Sequence, residues 1–283
     1  MSTYVVGWSP FHRDAGAIEL ACRMARSMGD RLHVVSVLPS GWGGIGRRDP
    51  EAARREGERS ADEARSYLEA VGVEGDVTYL AGKSVPQVLL DAVERTSATG
   101  LVLGSGSEAG IGRIEVSSKA SRLLHSSPVP VALAPRGHRA DGAKLERVVC
   151  AYRDEESGPA TMERAAIIAE SANVPLHVVT FGIEPRSMVP AEVSGVAKMV
   201  LEQWKIQARE ALDRAIARYP AAHGTGDIFV GRTWDDAMHA ADWMDGDLLV
   251  VGSSATSPIK QVFLGSSATK IVRHAPVPVV VVP

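Results

Sequence analysis

Short apolar runs alternate with longer amphipathic segments along the chain. An apolar run at residues 4–7 precedes a segment, 17–28, whose apolar positions recur three and four residues apart, and a second apolar run follows at 32–38. The short runs indicate buried strands and the longer segments indicate helices. Strands that alternate with helices and read as continuous apolar runs are typical of a parallel sheet covered on both faces. The pattern predicts an α/β fold.

The same order of elements occurs in both halves of the chain. Strands are predicted at residues 4–7, 32–38, 77–81, 101–104 and 129–134, and again at 148–152, 176–181, 227–230, 248–252 and 277–282. Helices are predicted at 17–28, 50–70, 85–95 and 117–125, and again at 162–172, 193–218, 234–243 and 266–274. Each half therefore contains one complete unit of strands and helices.

The two units are also similar in sequence. Residues 249–283 align without a gap onto residues 101–135, and 12 of the 35 aligned pairs are identical. Chance similarity between low-complexity stretches is the alternative, and the repeated order of elements argues against it. We predict two domains, 1–135 and 147–283, joined by a polar linker at 136–146 that has no apolar period.

The net charge and the lengths of the apolar runs argue against nucleic acid and membrane as partners. The chain has 283 residues and a net charge of −3, so it lacks the basic field that recruits nucleic acid. No apolar run approaches the ~18–20 residues that a membrane-spanning helix needs. The first residues lack a basic segment followed by an apolar one, so no secretory signal is predicted. We expect a cytoplasmic protein with neither a nucleic-acid nor a membrane partner.

The candidate chemistry lies in the loop after the fourth strand of the second half. This loop begins Gly252-Ser253-Ser254-Ala255, and Gly265-Ser266-Ser267 opens the next helix. Glycine lets a phosphate approach the backbone, and free N–H groups at a helix N-terminus favour an anion. The alternative is a serine cap beside a tight turn. Spacing alone leaves both interpretations open.

The equivalent loop of the first half differs at the start of its helix. Ser117 stands there in place of glycine, and its Cβ would crowd a phosphate resting on the backbone. A glycine-rich stretch at 41–48 is interpreted as a loop rather than a phosphate site. The sequence shows no nucleophile elbow, no carboxylate pair and no metal-ligand spacing, so no catalytic residue and no metal site are predicted.

At this point the motifs identify a family. The stretch VGSSATSPIKQVFLGSSATKIVRHAPVPVVVVP at 251–283, and the strands RLHVVSVLP at 31–39 and PLHVVTFG at 175–182, resemble the universal stress protein family in two tandem copies. The resemblance implies two doubly wound parallel sheets of five strands each, in the order 3-2-1-4-5, with helices on both faces. It also implies that the two domains pair with each other through their fifth strands. Further association of chains into a homo-oligomer is left open.

The family includes members that bind ATP and members that do not. In the binders, phosphates lie on the glycine motif and the base lies at the ends of the first two strands. The resemblance carries the following cofactor-binding positions to this chain: Ala151, Arg153, Phe181, Val251, Gly252, Ser254, Ala255, Gly265, Ser266 and Ser267. Ala255 stands where a second glycine is usual, and Arg153 stands where an acidic residue is usual. Phe181 either stacks on adenine or fills the pocket.

These features together predict a function in stress adaptation. The leading interpretation is a nucleotide-binding regulator that takes ATP, with Mg²⁺, and whose C-terminal domain is the more competent site. The alternative is an interaction module of the same fold that binds no nucleotide and uses its surface for a protein partner that the sequence does not identify. We expect no enzyme, and any ATP hydrolysis is expected to be slow and incidental.

Overall fold

The fold is described here from a computed structural model that covers residues 2–9, 14–39, 50–184, 191–253 and 265–283. The glycine-rich stretch at 41–48 therefore lies outside the described residues. The strands are β1 (Thr3–Trp8), β2 (Arg31–Pro39), β3 (Gly75–Gly82), β4 (Gly100–Gly104), β5 (Val131–Ala134), β6 (Arg147–Ala151), β7 (Leu176–Ile183), β8 (Thr225–Gly231), β9 (Asp247–Gly252) and β10 (Val279–Val282). The helices are α1 (Gly16–Met28), α2 (Pro50–Val71), α3 (Val85–Thr96), α4 (Ser118–Ser126), α5 (Gly158–Ala172), α6 (Ala191–Ile216), α7 (Trp234–His239) and α8 (Ser266–His274).

All ten described strands belong to one sheet, in the order β3-β2-β1-β4-β5-β10-β9-β6-β7-β8. Within each half the order is 3-2-1-4-5 and the pairs are parallel, which confirms the predicted α/β class. The two halves meet where β5 and β10 run antiparallel. The two predicted five-stranded sheets are therefore one continuous mixed sheet.

Two apolar clusters lie on opposite faces of this sheet, and each extends through both halves. One cluster packs under α1, α2, α5 and α6, and the other under α3, α4, α7 and α8. Alternate residues of one strand point to opposite faces, so Val148 and Cys150 join the first cluster while Val149 joins the second. Burial raises the pKa of the Cys150 thiol to about 12, in line with a small core residue.

The seam between β5 and β10 is fully buried. Val280 lies opposite Ala132, and every residue of both strands is buried. Both strands begin two residues later than predicted, at Val131 and Val279, because a proline precedes each and cannot donate to the ladder. An apolar edge of this kind invites aggregation when it is exposed, and each half covers the edge of the other.

The residues that join the halves are held against α1 rather than left free. Ala140 N–H donates to the buried Glu19 carboxylate (3.0 Å), and Leu145 N–H donates to Ser27 Oγ (2.8 Å). Arg23, fully buried on α1, reaches across to the second half and pairs with Asp245 Oδ2 at 3.1 Å. This ion pair links two residues 222 positions apart, so it fixes the first half to the loop before β9.

The lowered pKa of His138, in the same linker, predicts that the stability of the protein depends on pH. Burial, with the nearby Arg23 guanidinium, lowers its pKa from 6.5 to about 4. Between these values the unfolded chain binds a proton that the folded chain does not. The free energy of unfolding should therefore fall as the pH drops from 6.5 towards 4, by no more than about 3 kcal/mol from this residue.

Urea denaturation of the protein and of His138→Gln across this pH range measures the effect. The variant should show the shallower dependence on pH, and the residual slope should come from His33 and His177, whose pKa values burial also lowers. Parallel curves for the two proteins would mean that His138 is not held uncharged in the fold.

Among the residues that the structure describes, no helix combines the length and the apolar character that a membrane span requires. Within the same residues, no group of three His, Cys, Asp or Glu side chains is arranged to hold a metal ion.

Candidate functional site

A cavity of about 390 Å³ lies at the carboxyl ends of the second half's central strands, beside the start of α8. In open α/β sheets this is the edge at which ligands bind. Eight of the predicted positions line it: Ala151, Arg153, Phe181, Val251, Gly252, Gly265, Ser266 and Ser267. The other two, Ser254 and Ala255, lie outside the described residues. The fold therefore brings together eight of the ten residues that the family resemblance had indicated.

The apolar floor of the cavity comes from three neighbouring strands. Ala151 at the end of β6 pairs with Val179 of β7 on one side and with Val251 of β9 on the other. Phe181 forms a wall beside them, with its ring stacked on Phe229 (6.1 Å between centroids) and on Trp243 (6.5 Å). The aromatic neighbours pack against Phe181, and its ring forms one side of the cavity.

No side chain of the described residues caps the start of α8. Gly265 is the residue before the helix, and its carbonyl accepts the first helical bond from Thr269 N–H (2.9 Å). The N–H groups of the first helical turn have no partner within the helix and carry the positive end of its dipole. These groups lie where the sequence predicted an anion site, and anion binding there stays a prediction.

Arg153 brings a positive charge to the same place. Its Nη1 donates to Ser267 Oγ at 2.7 Å, and its Nη2 pairs with Glu155 Oε1 at 2.6 Å. The neighbouring Asp154 points elsewhere, because its carboxylate accepts from Arg214 of α6 (3.1 Å) and from the Tyr152 hydroxyl (3.3 Å). Burial and Asp154 together raise the pKa of Tyr152 above its ordinary value. The Arg153 guanidinium therefore stands beside the helix start together with its partner Glu155, and Glu155 and Glu156 also line the cavity.

Gly252 has a packing role that is independent of any ligand. A Cβ on this residue would lie 2.1 Å from Thr161 Oγ1, which is fixed by its own bond to Ser157 O at 2.8 Å. A side chain at position 252 would force β9 and α5 apart. The glycine is required for this close approach, whether or not a phosphate also rests on it.

Sequence reasoning missed several residues of the lining. Thr161 and Trp234 both face the cavity, and Trp234 stacks under the Lys270 ammonium, which lies 5.8 Å from the ring centroid. The sequence around Trp234 does contain a local signal, because Thr233 and Asp236 form a capping box that starts α7 at this residue. No local sequence feature indicates Thr161, since only the packing of α5 against β9 brings it to the site.

The equivalent cavity of the first half is larger, at about 930 Å³, and its helix start is closed. Ser117 has nearly the backbone conformation of Gly265 (φ −61° and ψ 163° against φ −66° and ψ 168°), and its Oγ accepts from Ala120 N–H at 3.2 Å. The serine hydroxyl occupies the position where an anion would bind. From the sequence, the Cβ of Ser117 was predicted to crowd a phosphate. The structure shows that the Ser117 side chain also caps α4.

The loop that follows β4 is also folded onto itself. Gly106 N–H donates to Glu115 O (2.9 Å), and Glu115 N–H donates to Ser105 Oγ (2.7 Å). The Gly106 N–H, which a glycine loop would offer to a phosphate, is therefore already used in this half.

Comparisons with known proteins agree with this fold. The model of the universal stress protein family matches the chain twice, at residues 6–135 and 144–283. Universal stress proteins of Mycobacterium tuberculosis and Mycobacterium bovis are each 38% identical to it over 295 aligned positions, which cover 99% of both chains. A crystal structure of a universal stress protein from Archaeoglobus fulgidus superposes with a TM-score of 0.67 at 18% identity, over 99% of this chain and 97% of that one. The chain therefore belongs to the universal stress protein family, as two copies of the family's domain in tandem.

Proposed function

We propose that this protein is a nucleotide-responsive regulator of stress adaptation that binds ATP in its C-terminal cavity. The observation that carries the proposal is the uncapped start of α8 at Gly265, with Arg153 beside it and an open apolar cavity next to both. Backbone N–H groups, a helix dipole and a guanidinium form a site suited to phosphates. The floor of Ala151, Val179 and Val251 suits a flat base.

The C-terminal domain is the more competent of the two in this proposal. Among the described residues no side chain caps its helix start, whereas in the first half Ser117 caps α4 and the Glu115 carbonyl accepts from Gly106 N–H. A Mg²⁺ ion that arrives with ATP would be held largely by phosphate oxygens and water, as is usual for this cation. The residues present fit the nucleotide, and they need not supply a separate metal cage.

Binding rather than turnover is the proposed activity. The described lining of the C-terminal cavity contains no histidine and no lysine, and its one described arginine is shared with Glu155 and Ser267. Hydrolysis would be slow and incidental under this proposal. We place the protein in the cytoplasm and leave its protein partner unnamed.

The second candidate is an interaction module that needs no nucleotide. One observation favours it: Met199, Val200 and Ile206 on α6 are each more than half exposed, and exposed apolar side chains on one helix suit a partner surface. In this alternative the two cavities bind no ligand, and the protein regulates its partner by binding it through α6.

The nucleotide content of the purified protein separates the two candidates. Acid denaturation followed by anion-exchange chromatography of the supernatant should release close to one nucleotide per chain. A value near two would show that Ser117 does not exclude ATP from the first half. A value of zero, with no thermal shift on adding ATP and Mg²⁺, would favour the interaction module.

A further inference from the structure

The first half has a cavity of about 930 Å³ at the carboxyl ends of β1 and β4, between α3 and α4, which is called the N-terminal cavity below. A groove beside α6 in the second half has nearly the same volume, about 900 Å³. Among the described residues, six charged residues line the groove and four line the N-terminal cavity. The N-terminal cavity therefore differs from the groove in the chemistry of its lining rather than in its size.

Two aromatic residues of the C-terminal cavity have aliphatic counterparts in the N-terminal cavity. By the register of the strand pairs, Val37 of β2 corresponds to Phe181 of β7. Val85 corresponds to Trp234, because each is the first residue of its helix after a serine or threonine cap. All four residues line their cavities. The N-terminal cavity therefore lacks two of the rings on which a flat base could stack, and it has aliphatic side chains in their place.

Aliphatic side chains from several elements meet at the end of β1. A Cβ on Gly7 would lie 3.0 Å from Leu103 Cδ2 and 3.2 Å from Leu89 Cδ1, so both leucines lie directly over this strand end. Ile111 also lines the cavity and is 78% exposed, the largest exposed fraction among the large apolar residues that the structure describes. A ligand that covered Ile111 would remove apolar surface from water, which favours binding. The body of such a ligand is apolar.

Most charged residues of this lining are already paired within the protein. They are Asp14, Lys119, Arg136 and Arg139. The Asp14 carboxylate accepts from two backbone N–H groups (2.9 and 3.1 Å), Arg136 donates to a backbone carbonyl (2.6 Å), and Arg139 pairs with two carboxylates (3.7 and 3.6 Å). Lys119 is exposed, so water solvates its ammonium group. None of the four therefore requires a charged group from a ligand.

Two features disfavour a polyphosphate in this cavity. Ser117 caps α4, and Gly106 N–H donates to Glu115 O, so these positions of the phosphate site have partners within the protein. A Cβ on Gly106 would lie 2.9 Å from Glu115 Oε2, so a carboxylate also stands against this loop. Its negative charge repels phosphate groups.

We propose that the N-terminal cavity binds a neutral small molecule with an apolar body, held by the aliphatic side chains over the end of β1 and in contact with Ile111. Concave sites of this kind hold small molecules largely through apolar contact, with few polar groups. The proposal does not rest on ATP binding, since it concerns the other half of the chain. The protein would then carry two sites of different chemistry, one for a nucleotide and one for an uncharged apolar compound.

Fluorescence titration with N-phenyl-1-naphthylamine, a neutral dye that brightens in apolar surroundings, tests this proposal. The dye should bind one per chain, and saturating ATP with Mg²⁺ should leave its affinity unchanged. Its sulfonated analogue, 8-anilinonaphthalene-1-sulfonate, should bind at least about tenfold more weakly, because the cavity would have to desolvate a charge. Tighter binding of the sulfonate, displacement of the neutral dye by ATP, or no binding of it up to its solubility limit would overturn the proposal.

Two variants locate the dye. Ile111→Ser should lower the affinity about tenfold through the loss of apolar contact, and it should leave the melting temperature nearly unchanged because Ile111 is exposed. Val37→Phe should also lower the affinity, because the larger ring fills space in the cavity. Phe181 stands at the corresponding position of the second half, so the sheet accommodates a ring there.

Two controls lie in the second half. Ile206→Ser removes an isoleucine that is 54% exposed on α6, and Val200→Ser alters the lining of the groove of about 900 Å³. Both variants should bind the dye as the unmodified protein does. Weaker binding in Val200→Ser than in Ile111→Ser would place the dye in the groove and overturn the proposal.

Discussion

Replacement of Gly265 by valine should reduce the affinity for ATP at least 100-fold while the protein remains folded. The branched side chain would stand over the first turn of α8 and keep a phosphate from the backbone N–H groups. Losing two hydrogen bonds to a charged phosphate costs about 3 kcal/mol, which corresponds to roughly 100-fold in affinity. The backbone at Gly265 has φ −66°, a value open to any residue, so the substitution introduces no backbone strain. Calorimetric titration with ATP and Mg²⁺ measures the change.

The first half supplies the matched variants for this experiment. Gly265→Ser should also weaken ATP binding, because the new hydroxyl can cap α8 as Ser117 caps α4, and it should raise the melting temperature slightly. Ser117→Val should destabilise α4 and leave ATP affinity unchanged. If Gly265→Val binds ATP as tightly as the unmodified protein, the phosphates do not lie at this helix start.

Truncation of residues 277–283 should convert a well-behaved protein into an aggregating one. The deletion removes β10, with all four of its buried valines, and leaves β5 and β9 without the strand between them. Two unpaired apolar edges result, and such edges pair with other chains. Size-exclusion chromatography with light scattering should show oligomers or loss of the soluble fraction.

Two further variants distinguish the loss of the β5–β10 pairing from a general effect of shortening the chain. Removal of Pro283 alone should be harmless, because this residue is exposed and lies beyond β10. Val280→Asp keeps the chain length and places a carboxylate opposite Ala132 in the buried seam, which should cost more than about 4 kcal/mol. A truncated chain that stayed soluble, monomeric and unchanged in circular dichroism would contradict the pairing of β5 with β10.

The predicted elements were confirmed most closely where the local pattern is strong, and their ends were least accurate. Helix 266–274 agrees with α8 at both ends, because its apolar period and the preceding glycine are local signals. The predicted helix 234–243 stops at His239, since Trp243 leaves the helix, stacks on Phe181 and donates to Met238 O (2.7 Å). The predicted helix 162–172 begins one turn earlier, at Gly158, where Pro159 opens the first turn. Tertiary contacts and proline chemistry set these ends.

The sequence by itself determined the repeat, the alternation of strands and helices, and the position of the candidate site. These depend on periodicity and on residues close together in the chain, as in Gly265-Ser266-Ser267. The strand order came from resemblance to a family rather than from pattern. Assignment of the predicted residues to nucleotide binding stays a prediction, although eight of them line one cavity.

Only the tertiary structure decided how the two halves differ. It showed that Gly252 is required by Thr161, that Arg23 crosses to Asp245, and that Ser117 caps α4 while Gly265 leaves α8 open. Whether a loop amide or a helix start is free depends on which distant group already bonds to it, and whether a cavity is wide or narrow depends on side chains from several elements. A linear pattern carries neither kind of information, because both depend on which elements of the fold pack against each other.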